Sequence, residues 1–390
     1  MREMKDSGVE WIGKIPVDWK LSKIGSVYDE RNEKVSDKDF VPLSVTKQGI
    51  VPQLETAAKT DNGDNRKLIR KGDFVINSRS DRRGSCGISE YEGSCSLINT
   101  VLKPQTNMCN RYYGFVFKSD GFADEYYRWG HGIVDDLWST KWIDMKSIYI
   151  PAPDITEQER IADYLDAKCS KIDEIIEKQQ AIIEKLKAYK LSIITEAVTK
   201  GLNPDVKMKN SGYEYIGDIP NYWNVCRLRN YGSAQNGISK GGEYFGTGFP
   251  FVSYGDVYRN YALPNRVDGL INTTEEERKK YSVEEGDIFF TRTSETIEEV
   301  GFSAVCNKTI PNATYAGFVI RVRPFIDMLT LGFAKYYFRS KHLRVYFAKE
   351  MNLVTRASLG QDLLKSMPLL VPPKDEQCKI TEYLDKKCNL

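Results

Sequence analysis

Residues 4–19 read MKDSGVEWIGKIPVDW and residues 208–223 read MKNSGYEYIGDIPNYW, identical at ten of sixteen positions at an offset of 204. A second pair is as clear: residues 146–169 read KSIYIPAPDITEQERIADYLDAKC, and residues 365–388 read KSMPLLVPPKDEQCKITEYLDKKC. At that offset of 219, Glu157/Glu376, Gln158/Gln377, Ile161/Ile380, Tyr164/Tyr383, Leu165/Leu384 and Asp166/Asp385 coincide. Chance does not produce both matches in the same order, so the chain is an internal duplication. Fainter matches lie between. Gly72-Asp73 and Gly286-Asp287 each turn into a short apolar strand, and Val101–Pro104 and Arg321–Pro324 each read as a strand ended by proline. Phe117-Lys-Ser119 and Phe338-Arg-Ser340 each close an aromatic helical segment. The anchors agree better than the interiors, which points to one frame reading two different ligands.

The halves meet at a segment that predicts one helix over residues 155–200. Pro153 and Asp154 precede it, Thr156 with Glu159 fits a capping box, and Gly201 and Pro204 supply the stop. Leu165, Cys169, Ile172, Ile176, Ile183, Leu186, Ile193 and Ala197 fall on alternating four- and three-residue steps, broken only by Gln179 and Lys190. That is a heptad seam, widened by Ile175, Ile182 and Tyr189. Such a helix is about 65 Å long, too long to bury its stripe on one compact domain, so it requires a long partner helix. The repeat names one, opening after Pro372-Pro373. The expected fold class is α+β. Two repeated mixed α/β domains, residues 1–154 and 201–373, are joined by helices 155–200 and 374–390. These pair antiparallel as in a coiled coil, in a pseudo-twofold circular arrangement. At the repeat offset the second helix would run to about residue 419, past Leu390. The expectation is a truncated C-terminus or a second chain that supplies the missing helix.

Composition sets outer limits. At 390 residues, with 41% apolar and 12% aromatic residues, the chain suits two or three domains with large cores. No run approaches 18 apolar residues and the N-terminus has no apolar signal core, so the expectation is a cytoplasmic protein without a membrane span. Eight cysteines form no CxxC pair and only two histidines accompany them, which argues for reduced structural cysteines and no metal site. The net charge of +2 hides local excesses. Residues 66–83 hold seven basic residues against Asp73 and Asp81, and residues 335–356 hold six against Glu350. Such clusters can face phosphates.

Taken in this order, Glu10–Pro16 with Trp19, Glu214–Pro220 with Trp223, the two Gly-Asp turns and the two Pro…Glu-Gln helix starts resemble the specificity subunits of type I restriction–modification enzymes. The resemblance runs from residue 4 to 390. It implies two target-recognition domains, each reading half of a split double-stranded DNA site, with helices that fix the gap. It also implies partners: two methyltransferase subunits docked on the helices, and two restriction-translocase subunits. S-adenosylmethionine and ATP with magnesium would then belong to those partners, leaving this chain with no cofactor and no catalysis of its own.

The residues fit that division of labour. The only Pro-Pro pair follows Leu370-Val371, where an amino-methyltransferase motif would place Asn or Asp, and no GxxxxGK[ST] exists. Phe245-Gly-Thr-Gly248 has the wrong glycine spacing for a cofactor cradle and reads as a loop. A methyltransferase or nuclease fragment, or a coiled-coil scaffold that does not touch DNA, are the alternatives. For DNA the candidates are Arg66, Lys67, Asn77, Ser78, Arg79, Ser80, Arg82 and Arg83 in the first half. In the second they are Tyr254, Arg259, Asn260, Thr291, Arg292, Thr293 and Ser294 on loops, with Lys341 and Arg344 as phosphate contacts. Cations grip phosphates, and Arg, Asn, Gln and hydroxyl side chains read base edges. For the helical partner the candidates are Ile161, Leu165, Ile172, Ile176, Ile183, Leu186 and Ile193.

Overall fold

The computed structural model describes residues 2–53, 63–132, 138–294, 299–350 and 357–388. They form two compact units, Met1–Lys178 and Gln179–Leu390. Each opens with a hairpin: Met4–Asp6 pairs antiparallel with Lys14–Pro16 in the first, Met208–Asn210 with Asp218–Pro220 in the second. The registers, Met4↔Pro16 and Met208↔Pro220, are the same at the sequence offset. A two-stranded ribbon follows in each, Lys20–Lys23 with Tyr149–Ala152 and Asn224–Arg227 with Pro368–Val371.

The main sheet is a four-stranded antiparallel one with the same order in both units. In the first it runs Cys86–Ile88, Phe74–Asn77, Asn99–Pro104, Tyr28–Glu30; in the second, Ser303–Val305, Ile288–Thr291, Val319–Pro324, Gly232–Asn236. Side chains alternate across a strand, and here both faces are covered. Phe74 and Ile76 enter an aromatic core with Tyr28, Phe117 and Phe122, while Val75 enters a smaller core with Leu43 and Ile69. Ile288 and Phe290 likewise face one core and Phe289 another, with Phe251 and Tyr315. Two-sided burial is why these strands read as unbroken apolar runs.

The Gly-Asp turns feed these strands. Gly72 and Gly286 sit at φ +89° and +93°, where a Cβ is strained. Asp73 then accepts two hydrogen bonds from Arg31 at 2.6 and 3.0 Å, and Asp287 accepts from Arg323 at 2.7 and 2.7 Å.

A single helix, Ile155–Lys200, leaves the first unit and ends in the second. Its cap differs from the expected capping box: Asp154, not Thr156, accepts the Glu157 N–H at 2.9 Å. It stops at Gly201, at φ +74°. The invariant pairs of the repeat explain one another. Trp19 donates to Glu157 at 2.8 Å and Trp223 to Glu376 at 2.9 Å. Gln158, buried, accepts from the Cys109 N–H at the start of helix Asn110–Lys118, and Gln377 accepts from the Thr330 N–H at the start of helix Leu331–Tyr337. Within the second unit, helix Lys374–Cys388 lies antiparallel to the end of the long helix: Lys190 bonds the Cys388 carbonyl at 3.2 Å, and Gly201 abuts Glu376. Between Ile172 and Tyr189 the apolar seam carries no partner helix among the described residues.

Two local readings change. Phe245–Val252 is a strand with a register shift between Phe245 and Phe249, not a loop, its glycines Gly246 and Gly248 absorbing positive φ. Tyr254–Arg259 is a short helix capped by Ser253 and Asp256, again not a loop.

Candidate nucleic-acid interface

In the first unit the strand Phe74–Asn77 delivers its successors to the sheet's end. There Ser78 and Arg79 line a cleft of about 710 Å³ with Lys67, Glu30, Leu97 and Ile98. Its other wall carries Ser139, Lys141, Trp142 and Ile143. Ser78 is fixed by donating to the Ile98 carbonyl and by accepting the Thr140 N–H on its own carbonyl, and Arg79 bridges to Ser139. Arg79 and Lys141 are exposed, and so are Leu97, Ile98 and Ile143. A cleft with two exposed cations, several hydroxyls and exposed apolar side chains can neutralise phosphates, donate to base edges and contact a thymine methyl. Sequence reasoning missed the Leu97–Ile98 and Ser139–Ile143 walls. The alternation of lysine and aromatic at Lys141-Trp142 was the available signal.

The other first-half candidates divide. Arg66 and Lys67 are corrected from surface to interior: their strand pairs on both edges, Arg66 donates to Ser94 at 2.9 Å, and Lys67 reaches Glu30 at 3.3 Å while its ammonium borders the cleft. Asn77 is buried and caps the turn by accepting the Arg79 N–H at 3.1 Å. Arg82 is exposed beside Asp81, and Arg83 pairs with Asp124. Ser80's side chain lies outside the described residues.

In the second unit Tyr254, Thr291, Ser294 and Glu299 converge. Ser294 donates to Glu299 at 2.7 Å, as does Tyr258 at 3.2 Å, and Tyr254 stacks on Tyr258 with centroids 5.8 Å apart. Burial raises the Tyr254 phenol above its ordinary pKa. Thr293 and Ser294 pair with Ala357–Ser358, and Arg292 is half-exposed beside them. Three candidates belong to the framework instead. Thr291 is fully buried and accepts the Phe302 N–H at 2.9 Å. Asn260 bonds the Asp256 carbonyl at 2.8 Å and gives its own carbonyl to Arg339. Arg344 is corrected from phosphate contact to strut: its guanidinium donates to the Val300 and Gly301 carbonyls, and burial pulls its pKa down to about 9. Arg339, from the same basic cluster, is buried with its guanidinium on four carbonyls. Arg259 and Lys341 are exposed, and the Lys341 N–H bonds Thr195 of the long helix at 2.9 Å. Arg356 lies outside the described residues.

The candidate partner face also divides. Ile172, Ile176, Ile183 and Leu186 are 46–60% exposed. Ile161 and Leu165 are half-buried in the first unit, and Ile193 packs in the second. No group of three or more His, Cys, Asp or Glu residues that could hold a metal occurs among the described residues. No described helix is long and apolar enough to cross a membrane.

One sheet-and-helix unit built twice, with different polar clusters at equivalent strand ends, defines a class: paired recognition modules on a shared frame. The particular class follows from the comparisons. Residues 223–389 match the type I restriction modification DNA specificity domain. Over 403 residues the chain is 23% identical to the type I restriction enzyme EcoKI specificity subunit of Escherichia coli, covering 96% of this chain and 83% of that one. It is 24% identical to the putative type I restriction enzyme MjaX specificity subunit of Methanocaldococcus jannaschii, over 65% of this chain and 64% of the other. In fold it is similar to a chain of a solved type I R-M system, with TM-score 0.69 and 17% identity, covering 96% and 91% of the two chains. The HsdS subunit from Thermoanaerobacter tengcongensis superposes with TM-score 0.51 and 18% identity, covering 96% and 90%. The chain is similar along most of its length to type I restriction–modification specificity subunits, with the specificity domain itself matched over residues 223–389, and its role is DNA sequence specificity.

Proposed function

We propose that each unit reads one half of a bipartite double-stranded DNA site. The recognition domains are residues 1–154 and 201–373, and the helices at 155–200 and 374–390 pair as a coiled coil in a pseudo-twofold circular arrangement that sets the gap between half-sites. The observation that carries this reading is the pair of four-stranded sheets with one strand order, whose corresponding strands lead into unlike groups: Ser78 and Arg79 in one, Arg292 to Ser294 in the other. The exposed seam from Ile172 to Leu186 supports docking of two methyltransferase subunits, and two restriction-translocase subunits complete the assembly. Methyl transfer from S-adenosylmethionine and ATP-driven steps then fall to those partners, in the cytoplasm where the DNA lies.

Methylome sequencing of cells with and without the gene tests the reading. A split motif that vanishes on deletion and returns on complementation is the expected result. A contiguous motif, or an unchanged methylome in cells that express the partners, overturns it.

A further inference from the structure

One tight turn recurs in both units, and each copy carries an exposed apolar side chain. In the first unit the Asn99 N–H closes it on the Ser96 carbonyl at 3.0 Å, with Leu97 and Ile98 at the tip. In the second the Val319 N–H closes it on the Ala316 carbonyl at 2.9 Å, with Gly317 and Phe318 at the tip. Each turn opens the central strand of its four-stranded sheet, Asn99–Pro104 or Val319–Pro324. Each is also tied to the residue that follows the Gly-Asp strand. The Ile98 carbonyl accepts the Ser78 N–H at 3.2 Å, and the Phe318 carbonyl accepts the Arg292 N–H at 2.8 Å. Ile98 and Phe318 therefore hold one place in the repeated fold.

Phe318 is 63% exposed, and Leu97 and Ile98 are 41% and 38% exposed. A single exposed apolar residue is ordinary on a protein surface. Here the exposure is repeated at one position while the residues around it are buried: Cys95 and Asn99 in the first unit, Ala316 and Val319 in the second. The tips are also held firmly. The Ser78 hydroxyl donates to the Ile98 carbonyl, and Gly317 packs against Ser239 and the Ile238 carbonyl. The surroundings of both tips suit nucleic acid. Ser78, Arg79 and Lys141 line the cleft with Leu97 and Ile98, and Arg292, bonded to the Phe318 carbonyl, leads into Thr293 and Ser294. Cations for phosphates and hydroxyls for base edges thus flank an apolar point in each unit.

We propose that Leu97 with Ile98, and Phe318, are wedges. Each inserts at a base step of the half-site its unit reads, partly unstacks the two base pairs and bends the duplex there. Leu, Ile and Phe are side chains with which proteins part base steps, and the distortion costs least at pyrimidine–purine steps. Each unit then reads its half-site twice: by hydrogen bonds from the polar groups beside the turn, and by how easily the step under the tip opens. The wedge rests on the reading of DNA argued above and adds to it a contact without a hydrogen bond.

The test uses the full chain assembled with its methyltransferase subunits, and duplexes carrying the split motif that methylome sequencing returns. 2-Aminopurine, whose emission rises on unstacking, replaces adenines in and beside each half-site, the methylated base excepted. Dyes at the duplex ends report bending by energy transfer. Phe318→Ala is expected to abolish the emission rise in one half-site only, to reduce the bend and to weaken binding about tenfold. Phe318→Leu should keep all three. Leu97→Ala combined with Ile98→Ala should act in the same way on the other half-site. Phe325, 61% exposed just past the far end of the same strand, is the control, and Phe325→Ala should change nothing. Specific binding by the unmodified complex with neither unstacking nor bend overturns the wedge and leaves the reading of DNA standing. A loss on Phe318→Ala that deoxyuridine in place of one thymine reproduces also overturns it, because the contact is then to a methyl group. So does a Phe318→Ala chain that no longer assembles with the methyltransferase subunits, which gives the turn to a protein partner. Binding without any sequence preference removes the reading of DNA, and the wedge with it.

Discussion

Asp73 and Asp287 keep the same place in the two sheets, yet their arginines come from different ones: Arg31 follows the edge strand in the first unit, and Arg323 sits in the central strand of the second. A buried carboxylate needs a cation but does not dictate which strand supplies it. That freedom limits what a sequence shows about single residues. Arg79 and Arg344 look alike in their basic clusters, but Arg79 is exposed in a cleft and Arg344 is bonded to carbonyls. Counting charges gives no direction for the side chain: Arg79 follows its strand's end into the cleft, while Arg344 lies on helix Lys341–Glu350 with its guanidinium turned inward. Arg79→Ala is therefore expected to cost about 1–3 kcal/mol of DNA affinity and to relax one half-site only. Quantitative binding to duplexes varied one half at a time checks it; uniform weakening across all sequences would mark a phosphate contact instead. Arg344→Ala should leave half-site preference intact and lower stability. His342 offers a pH test. It is fully buried against Tyr337 with Nδ1 2.8 Å from Ser340, and burial, with the Arg344 charge second, depresses its pKa from 6.5 to about 3. The unfolded chain takes up the proton first as pH falls below 6.5, so the stabilising neutral form loses ground from there downward. Roughly 2 kcal/mol should be lost between pH 7 and pH 5 from this residue. Urea unfolding of wild type and His342→Gln at both pH values measures it, and the variant should show that much less pH dependence.

At the scale of elements the sequence was far more legible. The Gly-Asp strands and the long helix stand where periodicity and the repeat place them, because each depends on local pattern and turn chemistry, whereas the two opening hairpins showed in the sequence only as a repeated segment. The Tyr254–Arg259 helix was missed because six residues give too little periodicity to distinguish from a loop. What the repeat could not reveal was why Glu157, Gln158 and their copies recur. The structure assigns them to joints: a tryptophan on the glutamate, and the N–H of a neighbouring helix start on the glutamine. Gln377 also donates to the Met328 and Pro372 carbonyls at 2.9 Å each. Gln377→Leu keeps the volume but strands one half-buried N–H and two carbonyls, so a loss of about 1–3 kcal/mol is expected. Chemical denaturation gives the number, and a loss below about 0.5 kcal/mol would deny the joint its role. The long helix makes a different prediction. Seven residues inserted after Glu177 preserve the seam's phase and add about 10 Å of helix. The gap between half-sites should then grow by about three base pairs with each half-site unchanged, as read by methylome sequencing.

Across the whole molecule, each unit has two buried clusters of its own, one on either face of its own sheet, and its own polar cluster. That separation was visible in the sequence as anchors conserved between the halves and interiors that drift apart. Which loops form the reading surface was not, since the cleft around Arg79 is assembled from residues 30 to 143. If the units read independently, their contributions to DNA affinity must add. Effects of distant substitutions with no shared partner sum to within about 0.5 kcal/mol, whereas residues in one network couple by more. Arg79 and Arg292 lie in different units and share no partner, so Arg79→Ala combined with Arg292→Ala should cost the sum of the two single variants. The measurement belongs at fixed salt, because neutralised phosphates make affinity fall steeply as salt rises. Each single variant should relax only its own half of the motif, and the double variant should relax both. A coupling energy above about 1 kcal/mol in that cycle would mean that the arginines serve one continuous site, and the two-headed reading would have to give way.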